Sequence, residues 1–158
     1  FEPVNMGDAL ASALAMMEPQ LRLRKVKIDR TLPSEPVMIM GDRVRVEQVM
    51  INLLRNAMDA TENVEDATID ILLAAGETAI LTVRDNGSGI INFENLFEPF
   101  YTTKLPGDGV GLGLAISSGI VNDLGGRLTA RNASGGGAVF EMQLPILQQE
   151  PEETRAAE

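Results

Sequence analysis

Two asparagines four positions apart, Asn52 and Asn56, are the first residues in this sequence whose types and spacing could do chemistry. In a helix this spacing brings both side chains onto one face. Amide oxygens are hard, neutral ligands that suit Mg²⁺, which takes one or two protein oxygens together with water and substrate phosphates. The alternative is the solvated face of an ordinary helix, and the pair alone leaves both interpretations open.

Asp85 is the second candidate, because it ends a stretch of alternating apolar residues and is followed by Asn86, Gly87, Ser88 and Gly89. A carboxylate at the end of a strand can accept a hydrogen bond from a ligand amine, and glycines let the backbone lie against a flat ring. Asp, Asn and Gly are also the usual residues of a tight turn. A plain turn is therefore the alternative.

Three glycines at alternate positions, Gly109, Gly111 and Gly113, stand at the start of a predicted helix. Such glycines can direct backbone N–H groups and the positive end of the helix at a phosphate. The spacing matches neither a Rossmann fingerprint in a βαβ unit nor a Walker A loop, because no lysine follows any of these glycines. A flexible hinge is the alternative.

Lys104 stands beside Thr102 and Thr103 and is the only lysine after Lys27. A compact cation between two glycine clusters is a candidate phosphate contact, whereas a lone exposed lysine often does no more than add solubility. The aromatic residues around it are expected to anchor the loop to the core rather than to stack on a ligand.

Hydrophobic spacing predicts the elements that position these candidates. The predicted helices cover 8–24, 43–60 and 111–124. The predicted strands cover 26–28, 37–40, 69–73, 79–83, 127–131 and 138–144. Pro19 is expected to kink or break the first helix, Asp42 to cap the second, and the strand at 37–40 to continue or pair with the one at 26–28. Residues 90–110 form a long loop, and this order predicts an α+β fold with helices on one face of a mainly antiparallel sheet.

The composition excludes several classes of protein. The 158 residues include no Cys and no His, so the chain holds no disulfide, no thiolate zinc site and no Ser-His-Asp or Cys-His catalysis. A net charge of −10 is not the footprint of a nucleic-acid-binding surface. No apolar run approaches the roughly 20 residues that span a bilayer. We interpret the chain as a piece of a longer protein, with one domain over 1–146 and a polar, disordered tail over 147–158.

One further match, Asn132-Ala133-Ser134, has the form of a glycosylation acceptor. Glycosylation of this kind belongs to secreted proteins, whereas we expect this cysteine-free chain to be cytoplasmic. We therefore interpret the match as chance.

Taken in order, the candidate groups resemble the sequence boxes of sensor histidine kinases. NLLRNA at 52–57 resembles their N box, DNGSG at 85–89 their G1 box, LFEPF at 96–100 their F box, and GVGLGLAI at 109–116 their G2 box. The glycines before Phe140 resemble the final hairpin of that family. The resemblance covers about residues 1–146, and the run FYTTK is most similar to the nitrogen-regulation and C4-dicarboxylate sensors.

The resemblance implies the Bergerat ATP-binding fold, a two-layer α/β sandwich in which about three helices back a mixed, mainly antiparallel sheet of about five strands. It implies that Asn56 ligates Mg²⁺, that Asn52 supports the metal or the phosphates, and that Asp85 receives the adenine amino group. Gly87 and Gly89 would shape the adenine wall. The residues that would contact the nucleotide are Asn56, Asp59, Ala60, Asp85, Gly87, Gly89, Ile90, Phe100, Thr102, Thr103, Lys104, Gly109, Val110, Gly111, Leu112 and Gly113. Asn52, Asn56 and Lys104 would be catalytic, with Lys104 reaching the phosphates from a lid over 90–110.

The sequence departs from the family pattern in two places. Asp59 stands where many of these kinases carry a lysine, so neutralisation of the phosphates would depend more on Mg²⁺, Lys104 or Arg55. The phosphoacceptor histidine cannot lie in a chain without histidine, so the resemblance implies the catalytic ATP-binding domain alone.

The implied function is transfer of the γ-phosphoryl group of ATP to a histidine on a dimerisation hairpin outside this chain, in two-component signalling. The implied partners are ATP and ADP, that hairpin and a response regulator, without nucleic acid or membrane insertion. The fragment would be monomeric and its parent a homodimer, a sensor kinase held at the membrane with this domain in the cytoplasm.

Two alternatives stay open at this point. Hydrolytic ATPases of the same superfamily, resembling gyrase, Hsp90 and mismatch-repair proteins, place a water-activating Glu one turn before the metal-binding Asn. Here that position is Asn52, and Glu47 lies elsewhere on the helical wheel. The other alternative is a nucleotide-gated interaction module without catalysis.

Overall fold

The structure, a computed structural model, describes residues 1–99 and 112–148. Its elements in chain order are β1 (Glu2–Asn5), α1 (Met6–Leu23), β2 (Lys27–Thr31), β3 (Met38–Gly41), α2 (Arg43–Ala60), β4 (Thr68–Ala75), β5 (Thr78–Asp85), α3 (Gly113–Asp123), β6 (Arg127–Asn132) and β7 (Ala138–Pro145).

Five strands form the main sheet, in the spatial order β2-β4-β5-β7-β6. β2 runs parallel to β4, and the other three pairings are antiparallel. β1 and β3 form a separate antiparallel pair. The prediction of an α+β fold with a mixed, mainly antiparallel five-stranded sheet and three helices is confirmed for the described part of the chain.

The core lies between the sheet and the helices. Alternate residues of β4, namely Ile69, Ile71 and Leu73, are buried, whereas Asp70 and Leu72 between them are exposed. This alternation shows that the sheet buries one face and leaves the other to solvent. The largest fully buried side chains on the helices are Met6, Leu10, Met50, Leu53, Leu54 and Met58. Two layers result, with α2 in contact with both α1 and α3.

The first helix runs through Pro19 without a break. Proline inside a helix removes one backbone hydrogen bond and costs about 3 kcal/mol. Met17 and Leu21, on either side of the proline, are buried, and each contributes about 1.5–3 kcal/mol by burial. Packing therefore outweighs the local preference. Of the predicted kink or break at Pro19, the break is wrong.

β3 pairs with β1, with Val4 opposite Ile39, rather than with β2 as predicted. The four-residue strand β1 is too short to show a reliable alternation, so its partner could not be assigned. The predicted cap of α2 is confirmed, because the Asp42 side chain accepts from the Val44 and Arg45 amides. The third predicted helix began at residue 111, which lies outside the described residues; the described helix begins at Gly113.

Candidate functional site

Asn52 joins α2 to the first turns of α3. Its Nδ2 donates to the Ser117 hydroxyl at 3.1 Å and to the Gly113 carbonyl at 3.3 Å. Ser117 is fully buried, so the contact lies inside the helix layer. The structure therefore brings Asn52 and Gly113 together, although 61 residues separate them in sequence.

Asn56 lies one turn further along the same helix and is half-buried. Its side chain has no hydrogen-bond partner among the described residues. An amide oxygen in this state can act as one ligand of Mg²⁺, provided that water and phosphate oxygens complete the coordination.

The N-terminus of α3 is the third part of this region. Leu112 is the cap residue, and it contributes no side-chain hydrogen bond to the first turn. The first N–H groups of a helix carry a partial positive charge and have no partner within the helix. Together with Asn52, which holds this turn, they form a region suited to phosphate oxygens.

Asp85 ends β5 and is 2% exposed. Its Oδ1 accepts from the Gly87 amide at 2.8 Å and from the Ala138 amide at 3.3 Å. Its Oδ2 is buried and has no partner among the described residues. Burial raises the pKa of this carboxyl above its ordinary value, against the smaller lowering by the two backbone donors.

An unpartnered buried acceptor costs about 1–3 kcal/mol. A ligand N–H group placed against Oδ2 of Asp85 would remove that cost, because it supplies the missing donor. The amino group of a purine is a donor of this kind. The carboxylate therefore fits the adenine-binding role implied by the resemblance.

Two glycines allow unusually close backbone contacts around Asp85. A Cβ at Gly87 would lie 2.2 Å from the carbonyl oxygen of Ala60, at the end of α2. A Cβ at Gly137 would lie 1.9 Å from the carbonyl oxygen of Asp85. The absence of a side chain at these positions lets α2 and the β6–β7 hairpin approach the residues that follow β5.

A cavity lies between the end of α2 and the residues that follow β5. Its volume of about 350 Å³ is within the size range of small-molecule sites. It is lined by Asp59, Ala60, Glu62, Asn63, Val64, Gly87 and Ser88. Three of these, Asp59, Ala60 and Gly87, are predicted site residues. The other four were not predicted, although Ser88 lies in the run DNGSG and the remaining three follow Ala60 closely in sequence. Asp85 and Asn56 are not among the lining residues, but Asp85 bonds to the wall through the Gly87 amide.

Arg24, whose partner Asp59 lines this cavity, was also not among the predicted site residues. Its Nη1 lies 3.0 Å from Oδ1 of Asp59, which joins the end of α1 to the last turn of α2 beside the cavity. The two residues are 35 positions apart, so no local pattern indicates the pair. Asp59 is thus ion-paired, and the cation comes from the end of a different helix.

Gly89 and Ile90 continue the segment beyond Gly87. Gly89 has a φ of +83°, and both backbone groups of Ile90 bond to the side chain of Asn132. The remaining predicted contact residues lie outside the described residues. They are Phe100, Thr102, Thr103, Lys104, Gly109, Val110 and Gly111.

A sequence profile described as the histidine kinase-, DNA gyrase B-, and HSP90-like ATPase family matches residues 41–148. The chain belongs to this family. It is also 42% identical over 138 residues to the C4-dicarboxylate transport sensor protein DctB of Rhizobium meliloti, an alignment that covers 85% of this chain and 22% of DctB. The chain thus spans about a fifth of that relative.

Among solved structures, the catalytic domain of histidine kinase ThkA has a TM-score of 0.80 and 31% identity, over 92% of this chain and 95% of that one. ThkA in complex with the response regulator protein TrrA has a TM-score of 0.77 and 28% identity, over 93% of this chain and 42% of that one. Full-length ShkA in complex with AMPPNP has a TM-score of 0.80 and 27% identity, over 94% of this chain and 32% of that one.

These similarities define a catalytic domain of the sensor histidine kinase type, as the sequence boxes predicted. Among the described residues, no helix combines the length and the apolar character that a bilayer-spanning segment requires.

Proposed function

We propose that this chain binds Mg²⁺ and ATP and presents the γ-phosphoryl group to a histidine on a helical hairpin outside the chain. The observation that supports this proposal most directly is the unpartnered Oδ2 of Asp85, buried next to a cavity in a fold of the histidine kinase type. In this proposal Oδ2 accepts from the adenine amino group, and Oδ1 keeps its two backbone donors.

The adenine end would lie against the residues that follow β5. Gly87 and Gly89 would form its wall, with Ile90, Asp59 and Ala60 at its border. The close approach of Gly87 to Ala60 already holds this wall against the end of α2. Because Gly87 and Gly89 carry no side chain, a flat ring could lie against their backbone.

The phosphate end would lie near Asn52, Asn56 and the N-terminus of α3. Asn56 would be a ligand of Mg²⁺, and the metal would neutralise charge on the phosphates and orient them. Asn52 would act by holding Gly113 and Ser117, and the backbone N–H groups of Leu112 and Gly113 are directed at the phosphates in this proposal. Lys104, with Thr102, Thr103 and the glycines at 109 and 111, and with Phe100 and Val110, would complete the site from the segment between the described ranges.

The transfer step needs no protein base in this chain. A neutral imidazole nitrogen already has a lone pair, so it can attack the γ-phosphorus directly while the bond to the β,γ-bridging oxygen breaks and ADP leaves. Such a step depends mainly on positioning and on stabilisation of charge. A site made of amides, backbone N–H groups and a divalent metal supplies both.

The partners follow from the same proposal. The phosphoacceptor hairpin would belong to the same parent protein, a homodimeric sensor kinase held at the membrane with this domain in the cytoplasm. A response regulator would receive the phosphoryl group. ThkA, solved with a response regulator protein, supports the expectation of a response regulator, and ShkA, solved with AMPPNP, supports the expectation of a nucleotide.

The test starts with the adenine end. We expect the chain to bind ATP in the presence of Mg²⁺ by calorimetry, and Asp85→Asn to weaken binding by more than about tenfold. The substitution can place an N–H donor against the adenine amino donor, and a lost hydrogen bond to a charged group is about 1.5–3 kcal/mol. Asp70→Asn, an exposed carboxyl on the neighbouring strand, is the matched control. Folded protein that takes up no ATP at millimolar concentration would refute the proposal.

The second arm separates transfer from its alternatives. The domain is mixed with ATP, Mg²⁺ and a separately produced hairpin that carries the histidine, and acid-labile phosphohistidine is measured. Asn56→Ala should reduce transfer even at saturating ATP. Rapid steady-state hydrolysis without the hairpin would instead indicate a hydrolytic ATPase, and binding with no transfer to an associated hairpin would indicate a nucleotide-gated module.

A further inference from the structure

The side chain of Asn132 makes two hydrogen bonds to a single residue. Its Oδ1 accepts from the Ile90 amide at 2.7 Å, and its Nδ2 donates to the Ile90 carbonyl at 3.1 Å. Asn132 is the last residue of β6, 42 positions from Ile90. Its amide therefore satisfies both backbone groups of Ile90 as a neighbouring strand would.

The fit of Gly89 beside this contact is tight. Gly89 has a φ of +83°, which L side chains rarely adopt, and a Cβ there would lie 3.0 Å from Oδ1 of Asn132. A side chain at position 89 would therefore press on the Asn132 amide, so the contact depends on glycine there.

The segment 85–90 is attached to the β6–β7 hairpin at both ends. At its start, Oδ1 of Asp85 accepts from the Ala138 amide, and Gly137 lies against the Asp85 carbonyl. At its end, Asn132 holds Ile90. In between, Asn86 is bonded to the start of β4 through the Thr68 amide and the Asp66 carbonyl.

We propose that Asn132 is a positioning residue for the nucleotide site: by holding Ile90, it sets the path of the backbone from Asp85 to Ile90 and thereby the adenine wall. This inference rests on the proposed function. Asn132 touches no nucleotide in it and acts only through Ile90 and Gly89. The sequence match to a glycosylation acceptor is incidental to the residue's structural use.

The experiment compares Asn132→Ala with the wild-type chain at a temperature at which both are fully folded by circular dichroism. Calorimetry gives the dissociation constants for ATP and for adenosine. We expect both to rise by about tenfold, since two hydrogen bonds that order the wall are lost. The factor should be similar for both ligands, because the wall contacts the base and not the phosphates.

Amide hydrogen exchange, followed by NMR, provides a readout that does not depend on nucleotide. The Ile90 amide should exchange faster in Asn132→Ala. Asn132→Asp keeps the acceptor for the Ile90 amide but loses the donor to its carbonyl, so it should retain much of the Ile90 protection and show an intermediate affinity. Asn122→Ala and Asn122→Asp, at an exposed position on α3, control for loss of an amide and for the added charge.

The outcomes are distinct. If the wild-type chain binds ATP and Asn132→Ala binds it equally well, the positioning role is refuted while the proposed function stands. A lower unfolding temperature with unchanged dissociation constants would refute it in the same way, since that is the result of a purely structural contact. If the wild-type chain binds no ATP, the proposed function fails and this inference fails with it.

Discussion

The two oxygens of the Asp85 carboxyl group lie in different environments. Oδ1 is satisfied by two backbone amides, whereas Oδ2 is buried with no partner among the described residues. Burial raises the pKa of the group because the charged form is poorly solvated there. The folded state therefore carries an unfavourable contribution at neutral pH, which a ligand donor can relieve.

This contribution predicts a pH dependence of stability. The pKa of Asp85 is higher in the folded chain than its ordinary value of 3.8, so the folded state binds the proton more tightly than the unfolded state. The resulting stabilisation is fully present below pH 3.8 and is lost as the pH rises through the raised pKa. We expect the free energy of unfolding of the wild type, relative to Asp85→Asn, to fall across this window.

Urea unfolding at a series of pH values measures this difference. The comparison with Asp85→Asn removes the contribution of the other carboxyl groups, which are common to both proteins. Asp70→Asn, at an exposed carboxyl on the neighbouring strand, controls for the loss of one negative charge. A difference that is constant with pH would contradict the raised pKa.

At the scale of elements, the contact between α2 and α3 fixes the position of the proposed phosphate end. Asn52 and Asn56 share a face of α2, but their side chains make different contacts. Asn52 is bonded to α3 through Ser117 and Gly113, whereas Asn56 has no such bond. The first asparagine therefore holds the helix N-terminus in place, and the second remains the candidate metal ligand.

Ser117→Ala tests this contact. The substitution removes the acceptor of the Asn52 Nδ2 group inside the helix layer, so we expect the free energy of unfolding to fall by about 1 kcal/mol. Ser118→Ala is the matched control, because it makes the same change in helix propensity at the next position of α3. Urea unfolding measures both, and equal stability of the two variants would show that the bond contributes nothing.

At the scale of the whole molecule, the candidate site lies where the helix layer and the sheet layer converge. The end of α2 reaches the turn after β5, and the β6–β7 hairpin reaches the same turn from the other side. Gly87 and Gly137 permit these two approaches. The cavity beside Gly87 is thus a product of how the layers pack rather than of any one element.

Gly87→Ala should disrupt this convergence. The new Cβ would overlap the backbone oxygen of Ala60, so either α2 or the turn must shift, at a cost of roughly 1–3 kcal/mol or more. Gly76→Ala is the matched control, because a Cβ there meets nothing within 4 Å. Thermal unfolding distinguishes them, and a Gly87→Ala variant as stable as Gly76→Ala would contradict the packing described above.

Local sequence patterns predicted most of the elements for clear reasons. The alternation at Ile69, Ile71 and Leu73 and the cap at Asp42 are determined by neighbouring residues, so they are visible without the fold. The uninterrupted course of α1 through Pro19 is not, because burial of Met17 and Leu21 outweighs the local effect of proline. The partner of β3 is β1, a four-residue strand on the other side of α1 in the sequence. No local pattern indicates this pairing.

By itself, the sequence determined the class of this protein, because the boxes at 52–57, 85–89 and 109–116 stand in the order of a sensor kinase domain. It also determined that this chain contributes no histidine or cysteine to the candidate site. Only the tertiary structure decided that Arg24 pairs with Asp59, that Ser117 holds Asn52 and that Asn132 holds Ile90. These contacts join residues 35 to 65 positions apart, and such pairs exist only once the layers have packed.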